Sequence, residues 1–470
     1  MKNMHFPKSQ MGNNGLRLDA SFHLSDGIAA RRVLAKIPFE KISLKGTLTR
    51  AFSAKRGRRI YVDEKHGTPF LGGSTMLKAD LSGIKCLSNR MTSDINEMKI
   101  DAGWILISCS GTIGNCVYTC KIHKDLAASQ HVIRLVPNGT MPAGVIYSFL
   151  ASKYGYALMT QGMFGSVIQE VEPEYIESLE IPVFPEELQK KVHALITESA
   201  KLREEADAED KSALNKMKSY TGLRDMTQDD YNYFGPRTSQ RNVSVFCKKR
   251  SNINYLSINA FNYSKRTADF TSYLMATCQC VTLQETLDSN GIFSTGSFPR
   301  LEYDSPASLL LINQKDIFNS KLTGKKIARR GVKTNNLVKY GEVIIAGVGT
   351  LGESETFCRA LFANETLSDQ LISGEFLRMN TNSEFPSGYL YTWLHSEYGF
   401  RFIRSTQSGT KLCRPIPKLL LQIPVPVLPF AQMQEIHDIV ISSQTHRHLA
   451  AEKENEAIRL IEEEIEKWQK

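Results

Sequence analysis

The sequence predicts an α+β chain with a pseudo-two-fold internal repeat: two tandem globular domains separated by two long antiparallel spacer helices. Three observations predict it. The 470-residue chain repeats one order of short motifs at a shift of about 240 residues, half its length. Each copy ends in a charged segment without internal Pro or Gly that carries one apolar stripe. Ahead of each such segment, short β-branched runs mix with short helical patterns.

The repeat is read motif by motif. Arg17-Leu18-Asp19-Ala20 faces Ser257-Ile258-Asn259-Ala260, and Gly103-Trp104-Ile105-Leu106-Ile107 faces Gly341-Glu342-Val343-Ile344-Ile345. Gly111-Thr112-Ile113-Gly114 faces Gly349-Thr350-Leu351-Gly352, Ser152-Lys153-Tyr154-Gly155 faces Ser396-Glu397-Tyr398-Gly399, and Ile181-Pro182-Val183 faces Ile423-Pro424-Val425. A period this long means tandem domains, because each copy can bury a core of its own. Trp104–Ser108 and Val343–Ala346 suit buried strands. Ala143–Tyr156 and Ser387–Phe400 read as helices, with Gly155 and Gly399 placed to cap their C-termini.

The first long helix is expected over Glu186–Tyr220, after Pro185, with Leu188, Val192, Leu195, Ile196, Leu202 and Ala206 on one face. The second runs over Phe430–Lys470, after Pro429, with Ile436, Ile439 and Val440, then Ile458, Ile461, Ile465 and Trp468. A helix of about 48 Å with one apolar stripe needs a partner, and the other helix supplies it as an antiparallel pair. The expected organisation is a domain over 1–185, a helix over 186–220, a linker over 221–254, a domain over 255–428 and a helix over 429–470.

Composition narrows the function. Lys and Arg number 58 against 49 Asp and Glu, a net charge of +9 that permits a polyanionic partner. Nine cysteines cannot all pair, so a reducing cytosol is expected. The start MKNMHFPKSQMGNNG lacks an apolar core for a secretory signal, and no apolar run nears the ~18 residues that span a bilayer. The expectation is a cytoplasmic protein with no membrane association.

Gly347-Val348-Gly349-Thr350-Leu351-Gly352 fits G-x-G-x-x-G, but the first copy has Cys109 in the place of Gly347, and Asn115–Thr119 and Glu353–Phe357 read as extended rather than as helix starts. A tight turn after a buried strand explains it better, or a turn whose amides approach a phosphate. Cys109, Cys116, Cys120 and His123 lack metal-site spacing, and the second copy keeps only Cys358, set opposite Cys120, so no metal is expected. Neither a phosphate loop, H-E-x-x-H, G-x-S-x-G nor an Asn-Pro-Pro-Tyr-type tetrapeptide occurs, and no catalytic residue is assigned.

Two basic clusters stand out: Lys55, Arg56, Arg58 and Arg59 in the first copy, and Lys325, Lys326, Arg329 and Arg330 as their rough counterpart in the second. A charge run is commonly a solvated face. In both copies at matching places it suits phosphate neutralisation and guanine readout. Ser74, Ser110, Thr112 and Ser166 in the first copy, and Thr350, Thr410 and Lys411 in the second, complete the candidate DNA contacts. Leu188, Val192, Leu195, Ile436, Ile439 and Val440 are the candidate partner-binding positions on the helices.

Together these residues resemble a type I restriction-modification specificity subunit over nearly the whole chain. Gly67–Ser74 resembles the family's segment near the end of its first variable stretch, Gly111–Gly114 its Gly-Thr-Ile-Gly turn, and Ser129-Gln130-His131 sits where an Asn-Gln is common, with Ser368-Asp369-Gln370 in its place in the second copy. Ile181–Pro185 with Leu188–Lys191 is similar to the run that opens a spacer helix, repeated at Ile423–Pro426 and Pro429; Glu187-Leu188-Gln189 and Gln432-Met433-Gln434 stand where the family has Glu-Gln. The resemblance implies two target-recognition domains, each reading half of a split double-stranded DNA site. It implies a non-catalytic chain without a cofactor of its own, docked by two methyltransferase (M) subunits that bind S-adenosylmethionine, and joined in some assemblies by a motor-nuclease (R) subunit. A specificity-like DNA-binding or scaffold subunit of another phage-defence system shares these features. A nuclease is told apart by cleavage by the chain alone.

Overall fold

Two helices of 36 and 38 residues, Glu186–Thr221 and Phe430–Lys467, run through a chain that otherwise consists of short strands and short helices. The computed structural model describes residues 20–164, 169–233 and 245–469. Its contacts divide into one unit of Met1–Glu204 with Leu449–Lys470, and a second of Glu205–His448. Each unit holds half of each long helix.

The helix halves pair antiparallel within each unit. In the first, Lys191 lies 3.7 Å from Glu456 and Ser199 donates to the Ala450 carbonyl at 2.7 Å, so partner numbers fall as position rises. In the second, Ser443 donates to the Ala206 carbonyl and to Asp210, while Lys216 pairs with Glu435 at 2.7 Å. Val192, Leu195 and partly Leu188 join the first core with Ala457, Ile461 and Ile465; Ile436, Val440 and partly Ile439 join the second with Ala213 and Met217. These six side chains lie at the seam of each helix pair, with Leu188 and Ile439 only partly covered. Val192, Ile436 and Val440 are fully buried, because the stripe each helix offers is covered by the other helix and by the unit's own globular part.

The globular parts repeat at the level of register. A four-stranded antiparallel sheet has the order Leu48–Phe52, Val132–Pro137, Ile105–Ser108, Cys116–Tyr118 in the first unit, and Leu287–Phe293, Phe376–Thr381, Val343–Ala346, Ala360–Phe362 in the second. Ile105–Ser108 and Val343–Ala346 are buried at every residue, as their unbroken apolar runs predict. A second small sheet pairs Gly67–Leu71 antiparallel with Cys86–Ser88 and parallel with Ala127–Ala128. The second unit does the same with Leu309–Ile312, Lys325–Ile327 and Leu371–Ile372. The Ile-Pro-Val motifs close each globular part, with Ile42 opposite Ile181 and Val281 opposite Val425.

Register revises several motif alignments. Lys325 and Lys326 lie on the strand equivalent to Cys86–Ser88, so they are not the counterpart of Lys55–Arg59, which follow Leu48–Phe52. Position 358 corresponds to 114, not 120: both precede the outer strand by two residues and both hold positive φ, +67° at Cys358 and +87° at Gly114. Asp369 matches Asp125, with φ of +60° and +65°, so Ser373-Gly374-Glu375 is what stands opposite Ser129-Gln130-His131. Residues 353–357 turn rather than extend, since the second unit takes 347–359 to reach its outer strand where the first takes 109–115.

The expected single helices are helix corners. Ala143–Ala151 breaks at Ser152, whose side chain caps Lys153–Gln161, and Ser387–His395 breaks at Ser396, which caps Glu397–Ser405. Gly155 and Gly399 lie inside the second helices and are not C-caps. A Cβ there would come 2.1 Å from the Phe149 carbonyl oxygen and 2.0 Å from that of Trp393, so the corner requires glycine.

Candidate nucleic-acid interface

Strand Leu48–Phe52 leaves its sheet at Phe52, and Lys55, Arg56, Arg58 and Arg59 follow as an exposed loop before Tyr61–Val62. The loop borders a cleft of about 650 Å³. Arg50, Lys55, Arg56, Arg58, Arg59 and Lys99 line it against Asp94 and Glu97, and Phe52, Phe70 and Trp104 give it aromatic walls. Cations alternate with rings: Arg50 lies 4.2 Å from the centre of Phe52, Arg59 5.2 Å from that of Phe70, and Lys85 5.4 Å from exposed Tyr61. Arg59 also donates to Gln130 at 3.0 Å. A cationic rim over aromatic walls suits a phosphate-bearing ligand with flat bases.

Behind Phe52, Arg134 is fully buried. It donates to the carbonyls of Val132 and Met98 at 3.0 Å and to that of Ala128. Burial lowers its pKa. Its equivalent is Arg378, since Phe52 pairs with Arg134 in the sheet as Phe293 pairs with Arg378. Arg378 is held by Glu342 through two bonds of 2.8 Å.

The other expected contacts gather at the turn after each central strand. Gly73, beside exposed Ser74, runs next to Ser108, Ser110 and the His131 carbonyl. Thr112 is exposed in the tight turn 111–114, where Gly111 has φ of +78° and Ser108 accepts from the Asn115 amide at 3.1 Å. Ser110 bridges to Glu170; Ser166 lies outside the described residues. In the second unit Gly349 bridges to Cys413, which sets exposed Thr350 near exposed Thr410 and Lys411 in the turn of hairpin Gln407–Pro415. Each unit thus joins a post-strand turn to the chain that follows its helix corner.

Of the second basic cluster, Lys325 pairs with Glu302 and Lys326 with Asp304, while Arg329 and Arg330 stay exposed in the following turn. Reading by charge runs alone misses Arg50, Phe52, Trp104 and Lys99, which reach the cleft from separate segments. Cys109 donates to the Gln130 carbonyl and Cys116 to that of Gly114, and burial pushes the Cys109 thiol up to about 11 and His123 down to about 4. Among the described residues no helix is long and apolar enough to cross a membrane.

The family model described as type I restriction modification DNA specificity domain matches residues 50–201, a stretch that includes the cleft loop, Arg134 and the start of the first long helix. No curated protein matches the chain. Among solved structures, the chain is similar to the type I restriction-modification S subunit from M. genitalium at 13% identity and a TM-score of 0.38, over 92% of this chain and 96% of that one. It is similar to the HsdS subunit from Thermoanaerobacter tengcongensis at 13% identity and a TM-score of 0.26, over 92% and 96%.

Proposed function

A type I restriction modification DNA specificity domain occupies residues 50–201, and from that premise we propose that the chain is the sequence-reading subunit of a type I restriction-modification complex, with each unit reading one half of a bipartite DNA target. The family match carries the reading. The register-level repeat supports two readers, because the second unit reproduces the strand order and helix corner of the first. The cationic cleft supports a polyanion as ligand. In this reading the chain performs no chemistry. Adenine methylation belongs to M subunits that carry S-adenosylmethionine, two per chain, and cleavage to an R subunit. Because the stripe residues are buried, M subunits dock on the outer faces of the helices and on the globular parts.

The test is to express the chain with the methyltransferase subunits of its source and map modified adenines across the genome. A split, asymmetric motif that vanishes when this chain is omitted is the expected result. Methylation at the same motif without the chain, or DNA cleavage by the purified chain alone, contradicts it.

A further inference from the structure

The repeat makes a charge difference visible. In the first unit Arg50 and Arg134 both lie on the Phe52 ring, at 4.2 and 5.4 Å from its centre. Arg134 is bonded only to carbonyls, and its buried Nε has no partner. In the second unit Gly291 stands where Arg50 does and Glu342 stands where Trp104 does, so the equivalent guanidinium is neutralised inside the sheet. The surface repeats the contrast. Among the described residues Lys55, Arg56, Arg58 and Arg59 have no carboxylate partner, whereas in the second unit's basic cluster, which lies on a different strand, Lys325 and Lys326 each have one and only Arg329 and Arg330 do not. A buried positive charge without a counter-ion is costly until an anion approaches, and a patch half of whose charges are already paired attracts one less strongly.

We infer that the first unit's cleft is the phosphate clamp of the chain: it takes the DNA phosphodiester backbone and supplies most of the salt-dependent affinity, while the second unit binds with little electrostatic contribution. This rests on the DNA-recognition reading and adds an unequal division of labour to it. The rim cations contact phosphate oxygens. Phe52 and Trp104 hold the loop over Arg134, whose charge the incoming backbone offsets.

The experiment measures binding of the full chain to a fluorescent duplex of random sequence across a salt series. Each lost phosphate contact flattens the slope of log affinity against log salt by about 0.9. Arg58→Ala with Arg59→Ala is expected to flatten it by roughly 2, while Lys325→Ala with Lys326→Ala leaves it unchanged. Lys55→Glu, a surface change remote from the core, is the second test and is expected to flatten it by about 1. Trp104→Glu gives Arg134 the carboxylate that Arg378 already has, and is expected to weaken duplex binding several-fold, whereas Trp104→Leu, which loses the same ring packing and adds no charge, weakens it less. Duplex binding with an unmoved slope in the first-unit variants, or equal flattening by the Lys325 and Lys326 change, overturns the inference and leaves DNA recognition standing. Unchanged binding by well-folded Trp104→Glu removes Arg134 from it. A wild-type chain that binds no duplex at low salt overturns both.

Discussion

Glu454 shows what single side chains do in the paired helices. It accepts from the Tyr147 hydroxyl at 2.6 Å and pairs with Arg203, and both members of the ion pair are largely buried. Removing one partner strands the other charge, at a cost of about 3–5 kcal/mol. Glu454→Ala is therefore expected to lower the melting temperature by many degrees, whereas Lys190→Ala, in an exposed pair with Glu186, leaves it nearly unmoved. Equal melting of the two variants contradicts this assignment. His193 and His437 carry a second residue-level prediction. Each Nδ1 accepts a backbone amide, from Gly144 at 3.2 Å and from Gly388 at 2.9 Å, and so must be unprotonated. Burial lowers both pKa values from the ordinary 6.5. The unfolded chain then binds protons that the folded chain refuses. This contribution is complete above about pH 6.5 and is lost as pH falls towards the lowered folded values. The melting temperature should drop from pH 7.5 to 5.5, and drop less in the double variant His193→Gln with His437→Gln, whose amide oxygens still accept. The same drop in both contradicts the role.

At the scale of elements, the helix corners give the sharpest expectation. Gly155→Ala and Gly399→Ala place a Cβ against a carbonyl oxygen at about 2 Å, so each should destabilise by several kcal/mol, well beyond the ordinary gain of about 1 kcal/mol for Gly to Ala in a helix. Val192→Asp buries a charge between helix and core and should cost several kcal/mol. A chemical-denaturation midpoint unchanged in either case refutes the packing described. The elements differ in how far they could be read from sequence. The long helices are legible because an apolar stripe persists over ten turns, and Ile105–Ser108 because a fully buried strand is apolar throughout. The corners are not: Ser152 and Ser396 interrupt no periodicity, and only the close approach of Gly155 and Gly399 to the preceding turn distinguishes a break from a continuous helix. The cleft is half legible. Lys55–Arg59 is visible as a charge run, but Phe52, Trp104 and Arg134 meet through strand register, which local patterns do not contain. A match by charge alone misplaces Lys325-Lys326, because the shift of about 240 residues that relates Phe52 to Phe293 and Cys86 to Lys326 sets the counterpart of 55–59 well ahead of them.

The whole molecule carries two units of one plan, each proposed to read half of the target. Their shared register, down to the buried arginine beneath Phe52 or Phe293, makes each a self-supporting fold with its own core. Of the residues that differ between them, the rim cations are exposed, while the turns at 109–115 and 347–359 each send side chains into their unit's core, Cys109 and Ile113 in the first and Phe357 and Cys358 in the second. The most direct measurement is domain exchange: residues 1–185 are replaced by the corresponding segment of a relative with a different known target, and the methylated motif is sequenced in cells that hold the matching methyltransferase. The account predicts that one half of the motif changes to the donor's and the other half, with its spacing, stays. A motif altered in both halves, or in neither while the chimera folds and assembles, contradicts independent reading by the two units.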